Sequence, residues 1–211
     1  MLFATVRDSG IVRTTEGTSI MRHRSASPAA ALAQTAFRVA LGGVLVAHGT
    51  QKLFGWFGGG GVEGTAKGMH AMGFRPATQH AIGAGLGEAG AGAALALGLG
   101  TPAAGAIAAT TMGVAASVHT PNGFFATSGG FEYPAVLGVA AAAFSLAGAG
   151  PVSLDRATGH VFDKPWMRAI ALLAIPVTIA FEVNRRRKTL AADGDSEAAE
   201  TPVAEGSTDP A

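Results

Sequence analysis

Long runs of apolar and small residues, interrupted by short breaks rich in Gly and Pro, set the pattern of this chain. Four runs, 32–54, 78–99, 102–119 and 132–150, approach the roughly twenty residues that a helix needs to cross a bilayer. A fifth, 166–183, is shorter, contains Pro176, and carries Arg168 and Glu182 near its ends, so it reads as a fifth span or as a helix lying at the interface. The breaks agree with this division. Gly58 to Gly61 closes the first run, Gly100-Thr101-Pro102 folds the second and third into a tight antiparallel hairpin, and Pro121-Asn122-Gly123 ends the third. In the connector 58–77, Val62, Ala66, Met69 and Gly73 fall at helical spacing and predict a short surface helix. Its run of glycines has no Gly-Lys-Ser/Thr after it and no strand before it, so it reads as a linker and not as a phosphate cradle.

One carboxylate breaks the apolar pattern. Glu88 is the only formal charge in the run 78–99 and lies close to its centre. An ionisable group at bilayer mid-depth costs about 2.5–3.5 kcal/mol on the lenient insertion scale, so it faces protein or a water-filled cavity, and Glu88 becomes the first candidate functional residue. Ala84, Gly85, Ala91 and Gly92 share its helical face, and such small neighbours let another backbone approach. At about 100° per residue, Gln34, Arg38, His48 and Lys52 fall within one stripe of about 80° on the first helix. Glu88 is therefore expected to meet Arg38, His48 or Lys52, or to be protonated and donate a hydrogen bond. Arg38 and Lys52 are separated by about 21 Å of helical rise, and either could equally snorkel to a headgroup.

An alternating bundle brings His48, Lys52, His119, Asn122 and Glu132 to one leaflet, with Asp155 at the other, where it can pair with Arg38 or Arg156 or stay solvated in a turn. Two histidines from different helices could ligate haem or a metal, but no i, i+3 or i, i+4 His pair supports this, so neither is expected. Phe54, Trp56, Phe57, Phe74, Phe124, Phe125, Phe131 and Tyr133 collect on the same side as an aromatic interface belt.

Composition strengthens the membrane reading: 48% of the 211 residues are hydrophobic, 14% are charged, and 31 are glycine. The net charge of +1 conceals a split, because residues 189–211 hold six acidic and no basic residues, leaving +7 for the rest. That acidic segment is expected to be a disordered tail. Arg185 to Lys188 abut the fifth apolar run and read as a membrane-flanking anchor, not a nucleic-acid patch. Charge does not decide orientation, because the first four helices and the basic cluster after the fifth favour opposite topologies. With no cysteine, the chain itself forms no disulfide, exchanges no thiol and binds no iron–sulfur cluster. Residues 1–27 lack the apolar core of a cleaved signal, and both Met1 and Met21 serve as candidate starts. The expected organisation is an N-terminal extension, 1–30, without fixed structure; a membrane domain, 31–156; a linker and fifth helix with basic flank, 157–188; and the acidic tail, 189–211.

Several stretches together, AFRVALGGVLVAHGTQKLFGWFGG, Gly87-Glu88, HTPNGFFATSGGFEY and GAGPVSLD, resemble the DoxX family of small bacterial membrane proteins over residues 33–156. The resemblance implies an all-α integral membrane protein, a four-helix transmembrane bundle with a fifth C-terminal helix, multi-pass in the bacterial plasma membrane. It carries Arg38, His48, Lys52, Glu88, His119, Asn122, Glu132 and Asp155 over as the family's polar positions. The family includes a subunit of a thiosulfate:quinone oxidoreductase, so the implied role is a subunit or membrane anchor of a quinone- or sulfur-linked redox complex. Such a chain would not be catalytic on its own. It would carry no intrinsic cofactor, admit a quinone, and dock a soluble redox enzyme, with homo-oligomers compatible. Glu88 would accept a proton in that role. Two other readings remain: a small-molecule or proton-coupled permease, and a non-catalytic scaffold whose buried charges fix helix register.

Overall fold

The computed structural model describes residues 27–200, with side chains to 196, and two three-residue strands, β1 (Ile11–Arg13) and β2 (Ser19–Met21), which pair antiparallel. The remainder of the expected extension 1–30, up to residue 26, and residues 201–211 of the acidic tail lie outside the described residues. The fold is otherwise helical: α1 (Pro28–Phe54), α2 (Gly61–Ala71), α3 (Ala77–Leu97), α4 (Thr101–His119), α5 (Glu132–Ala147), the single turn α6 (Leu154–Ala157) and α7 (Pro165–Glu200).

Local chemistry accounts for the boundaries. Ser27 caps α1, its hydroxyl accepting from the amide of Ala30 at 3.2 Å, and Pro28 opens the first turn, where a missing N–H costs nothing. Gly55 ends α1 in the left-handed region at φ 73°. The surface helix expected in the 58–77 connector is α2. Among the described residues, three helices are long and apolar enough to cross a membrane, Pro28–Phe54, Thr101–Asn122 and Pro165–Ser196. The glycines and Glu88 of α3 dilute its hydropathy, and α5 has only 16 residues. The fifth apolar run is the start of the longest helix, which passes through Pro176 and continues to Glu200. The first part of the acidic segment is therefore helical: Leu190 packs on Gly73, and Asp193 pairs with Arg75 at 3.0 Å.

The core is built from small residues. Leu41 and Leu45 of α1 meet Ala91 and Leu95 of α3, and Ala104, Ala108, Ala109 and Met112 of α4 meet Ala141 and Phe144 of α5. At two points α1 and α3 touch through their backbones. A Cβ added to Gly42 would strike the carbonyl oxygen of Gly92, and one added to Gly49 would strike the backbone and Cβ of Ala89. Dispersion falls steeply with distance, so this approach gains contact in a bilayer, where lipid tails are as apolar as leucine and hydrophobicity does not drive helices together. α7 packs mainly on α4, with Ile179 filling the space over Gly113. Exposed Phe37, Val136, Val139, Leu173 and Val177 give the outer faces of α1, α5 and α7 a lipid-compatible surface. Phe54, Trp56, Phe57, Phe124, Phe125 and Tyr133 of the aromatic belt are exposed, but Phe74 is 5% exposed, turned inward against His80 and beneath the Arg186 guanidinium.

Asp163 precedes α7 with its side chain 1% exposed and accepts from Arg168 Nε at 2.7 Å and Nη2 at 2.9 Å. Burial pushes this carboxyl up, but the hydrogen bonds and charge of Arg168, with His160 nearby, outweigh it and hold it below the usual carboxylate range.

Gly49→Ala should lower stability by about 1–3 kcal/mol through overpacking. Gly43→Ala, whose added Cβ meets nothing within 4 Å, should leave thermal unfolding in detergent unchanged or slightly improved. The Asp163 contribution is fully present above the unfolded carboxylate value and should disappear as pH falls through the depressed native one. Asp163→Asn should flatten that acid limb of the unfolding profile.

Candidate functional site

The polar side chains separate into two ends. At one end, Arg38 is 2% exposed and spends its guanidinium on backbone carbonyls: Nη1 donates to Ala149, and Nη2 donates to Val152 at 2.8 Å and Ala96 at 3.5 Å. Gln34 adds a bond to the Gly148 carbonyl at 3.2 Å. Asp155, fully buried, accepts from the amides of Gly100 at 2.7 Å and Thr101 at 2.9 Å. These are orphan donors at the start of α4, so Asp155 caps that helix from a distant segment. The end is a closed tie between the α3–α4 turn and the loop after α5. It also answers the Arg38 alternatives: the side chain is buried, and it does not reach Glu88.

At the other end, the partner of Glu88 is Lys52. Nζ of Lys52 lies 2.5 Å from Glu88 Oε2, with the lysine side chain 26% exposed and the glutamate 3%. The glycine contacts between α1 and α3 lie directly along this pair: Gly49 meets Ala89, and Gly85 meets Leu53. The remaining expected residues do different work. His48 Nε2 is 3.0 Å from the Tyr133 hydroxyl, which links α1 to α5. His119 Nδ1 and Asn122 Nδ2 both reach the carbonyl of Gly129, at 2.8 and 3.2 Å, and Glu132 accepts from the Ala126 amide at 3.0 Å. His119, Asn122 and Glu132 thus brace the 120–131 loop, and of these three only His119 also lines the cavity described next.

Lys52 and Glu88 form one wall of a cavity of about 570 Å³ between the end of α1, α2, α3, α4 and α7. Met69, Met72 and Phe74 close it from the α2 side, and Val114, Ala115 and Val118 from α4. A second polar group faces the same space. His80 Nδ1 is 2.9 Å from the carbonyl oxygen of Pro76, which can only accept, so Nδ1 carries a proton and Nε2 faces Glu182 Oε2 at 3.5 Å. Arg185 Nη1 is 3.6 Å from Glu182 Oε1, and Glu182 Oε2 is buried with no hydrogen-bond partner.

His80, Glu182 and Arg185 were outside the sequence-derived set. Two signals were present: His80 lies two helical turns before Glu88, and Glu182 is the one acidic residue in the fifth apolar run. What hid them is that Glu182 enters the cavity only because α7 packs on α4.

A helical bundle with apolar outer faces and an internal ion pair defines a helical membrane protein. Residues 33–121 match the model of the DoxX family, so this helical membrane protein is similar to that family through the segment from α1 to the end of α4. The loop after α4, α5, α6 and all of α7 lie beyond the match, which is shorter than the 33–156 anticipated from the motifs. No curated protein and no solved structure matches the chain.

Asp155→Ala should leave the start of α4 with buried, unpaired amides and cost about 1–3 kcal/mol. Thermal unfolding in detergent reads that loss, and Asp155→Asn, which keeps one acceptor, should recover part of it.

Proposed function

We propose that this protein is the membrane subunit or anchor of a redox complex in a bacterial plasma membrane, and that its cavity binds a quinone-like or small sulfur-containing molecule beside Glu88. The observation that carries the reading is the Lys52–Glu88 pair opening onto a space of about 570 Å³. That size falls within the range of small-molecule pockets, which are mostly apolar with a few convergent polar groups. Methionines and aliphatic side chains supply the apolar wall here, and Lys52 supplies a donor toward a carbonyl or anionic oxygen.

In this role Lys52 orients the ligand through its ammonium, and Glu88 accepts a proton from a hydroxyl as it leaves. The electron-carrying group resides on a soluble partner docked at the membrane surface, since this chain has no cysteine for thiol or cluster chemistry.

Purified protein in nanodiscs should bind a short-chain ubiquinone or menaquinone analogue saturably. Glu88→Gln should weaken binding about tenfold or more, the size expected when a hydrogen bond to a charged group is lost. Saturable binding that ignores both Glu88→Gln and Lys52→Met would remove the ligand from this cavity. Ligand flux into proteoliposomes that depends on Glu88 would instead favour the permease reading.

A further inference from the structure

The Lys52–Glu88 wall accounts for only half of the cavity's polar chemistry. At the other half, Glu182 stands between His80 at 3.5 Å and Arg185 at 3.6 Å, and its buried Oε2 has no hydrogen-bond partner. A buried carboxylate oxygen left unpaired costs free energy that a ligand donor can recover. Glu182 and Arg185 come from α7, beyond the residues that match the family model.

We propose that Glu182 is a second ligand-binding group and that it selects a neutral, elongated molecule carrying a hydroxyl at the end away from Glu88. The inference rests on the reading of this cavity as a ligand site and adds to it the ligand's second polar end. Three features define the class. The unpaired carboxylate oxygen accepts and cannot donate, so the ligand offers a hydroxyl or N–H. Arg185 already places a cationic donor beside Glu182, so an ammonium would meet like charge and a neutral hydroxyl is preferred. His80 and Glu88 are eight residues apart on α3, about 12 Å along the axis, with Ala84 between them on the cavity wall. A ring with oxygens at opposite ends, about 5.5 Å apart, plus a hydrogen bond of about 2.7 Å at each end, spans about 11 Å. Met69, Met72 and Val118 flank the intervening space as an apolar sleeve.

The test compares an alkyl hydroquinone, kept reduced, with its dimethyl ether on the full-length protein in nanodiscs. The two share a skeleton and differ in hydroxyl donors. The hydroquinone should bind about tenfold more tightly than the ether, the value of a hydrogen bond to a charged acceptor. Glu182→Met should abolish the part of that preference that survives in Glu88→Gln, while leaving the ether's affinity near the original. The wild-type comparison needs no variant, so it stands even where Glu182→Met lowers expression. Equal binding of the two probes to the wild type overturns the inference, and with it the hydroxyl acceptance proposed for Glu88, and leaves only the cavity as a binding site. A preference unchanged in a folded Glu182→Met protein removes Glu182 from the role. Saturable binding of neither probe overturns both readings.

Discussion

The backbone contact between α1 and α3 is the constraint on which the rest of this membrane domain depends. Gly42 against Gly92 and Gly49 against Ala89 bring two helices to a separation that any side chain would prevent. In lipid this contact matters more than in water, because apolar burial no longer favours association and close packing has to supply the attraction. The same contact fixes how far α1 slides along α3. That axial offset places Lys52, and neither Arg38 nor His48, against Glu88.

The two polar ends show how identical residue types can be put to opposite uses. Arg38 and Asp155 are at least as deeply buried as Glu88, yet their partners are backbone groups: carbonyls in the last turn of α3 and after α5, and amides at the start of α4. Arg38 Nε and the Thr101 hydroxyl stay unpaired there, but neither lines the cavity, so the polar groups of this end fix geometry. The Lys52–Glu88 end is built differently. Its ion pair faces open space with apolar walls, and Glu182 across that space keeps a buried oxygen in reserve. Binding chemistry belongs where polar groups converge on a volume that the protein does not fill.

How much of this was readable beforehand varies residue by residue. Glu88 announced itself as the single charge in an apolar run, and Lys52 was one of three cations on a facing stripe. The helical nature of the chain, the α3–α4 hairpin and the α2 surface helix all followed from spacing and from Gly and Pro positions. Phe74 was misplaced, because an aromatic near a helix end looks the same in sequence whether it faces lipid or folds inward over His80. His119, Asn122 and Glu132 bond to the backbone of the 120–131 loop, a detail set by the loop's own turns.

Hydropathy and the 3.6-residue period are local properties, so the sequence by itself determined that this is a helical membrane protein and which face of each helix is polar. It also marked Glu88 as an anomaly requiring a partner. Only the tertiary structure decided which partner, because a difference of a few residues in axial offset exchanges one cation for another. The same is true of the cavity. Its walls come from segments up to 133 residues apart, Lys52 to Arg185, and the arrival of Glu182 depends on α7 lying along α4. No periodicity within a single segment encodes that meeting, since it is the packing of one helix on another that creates the space between them.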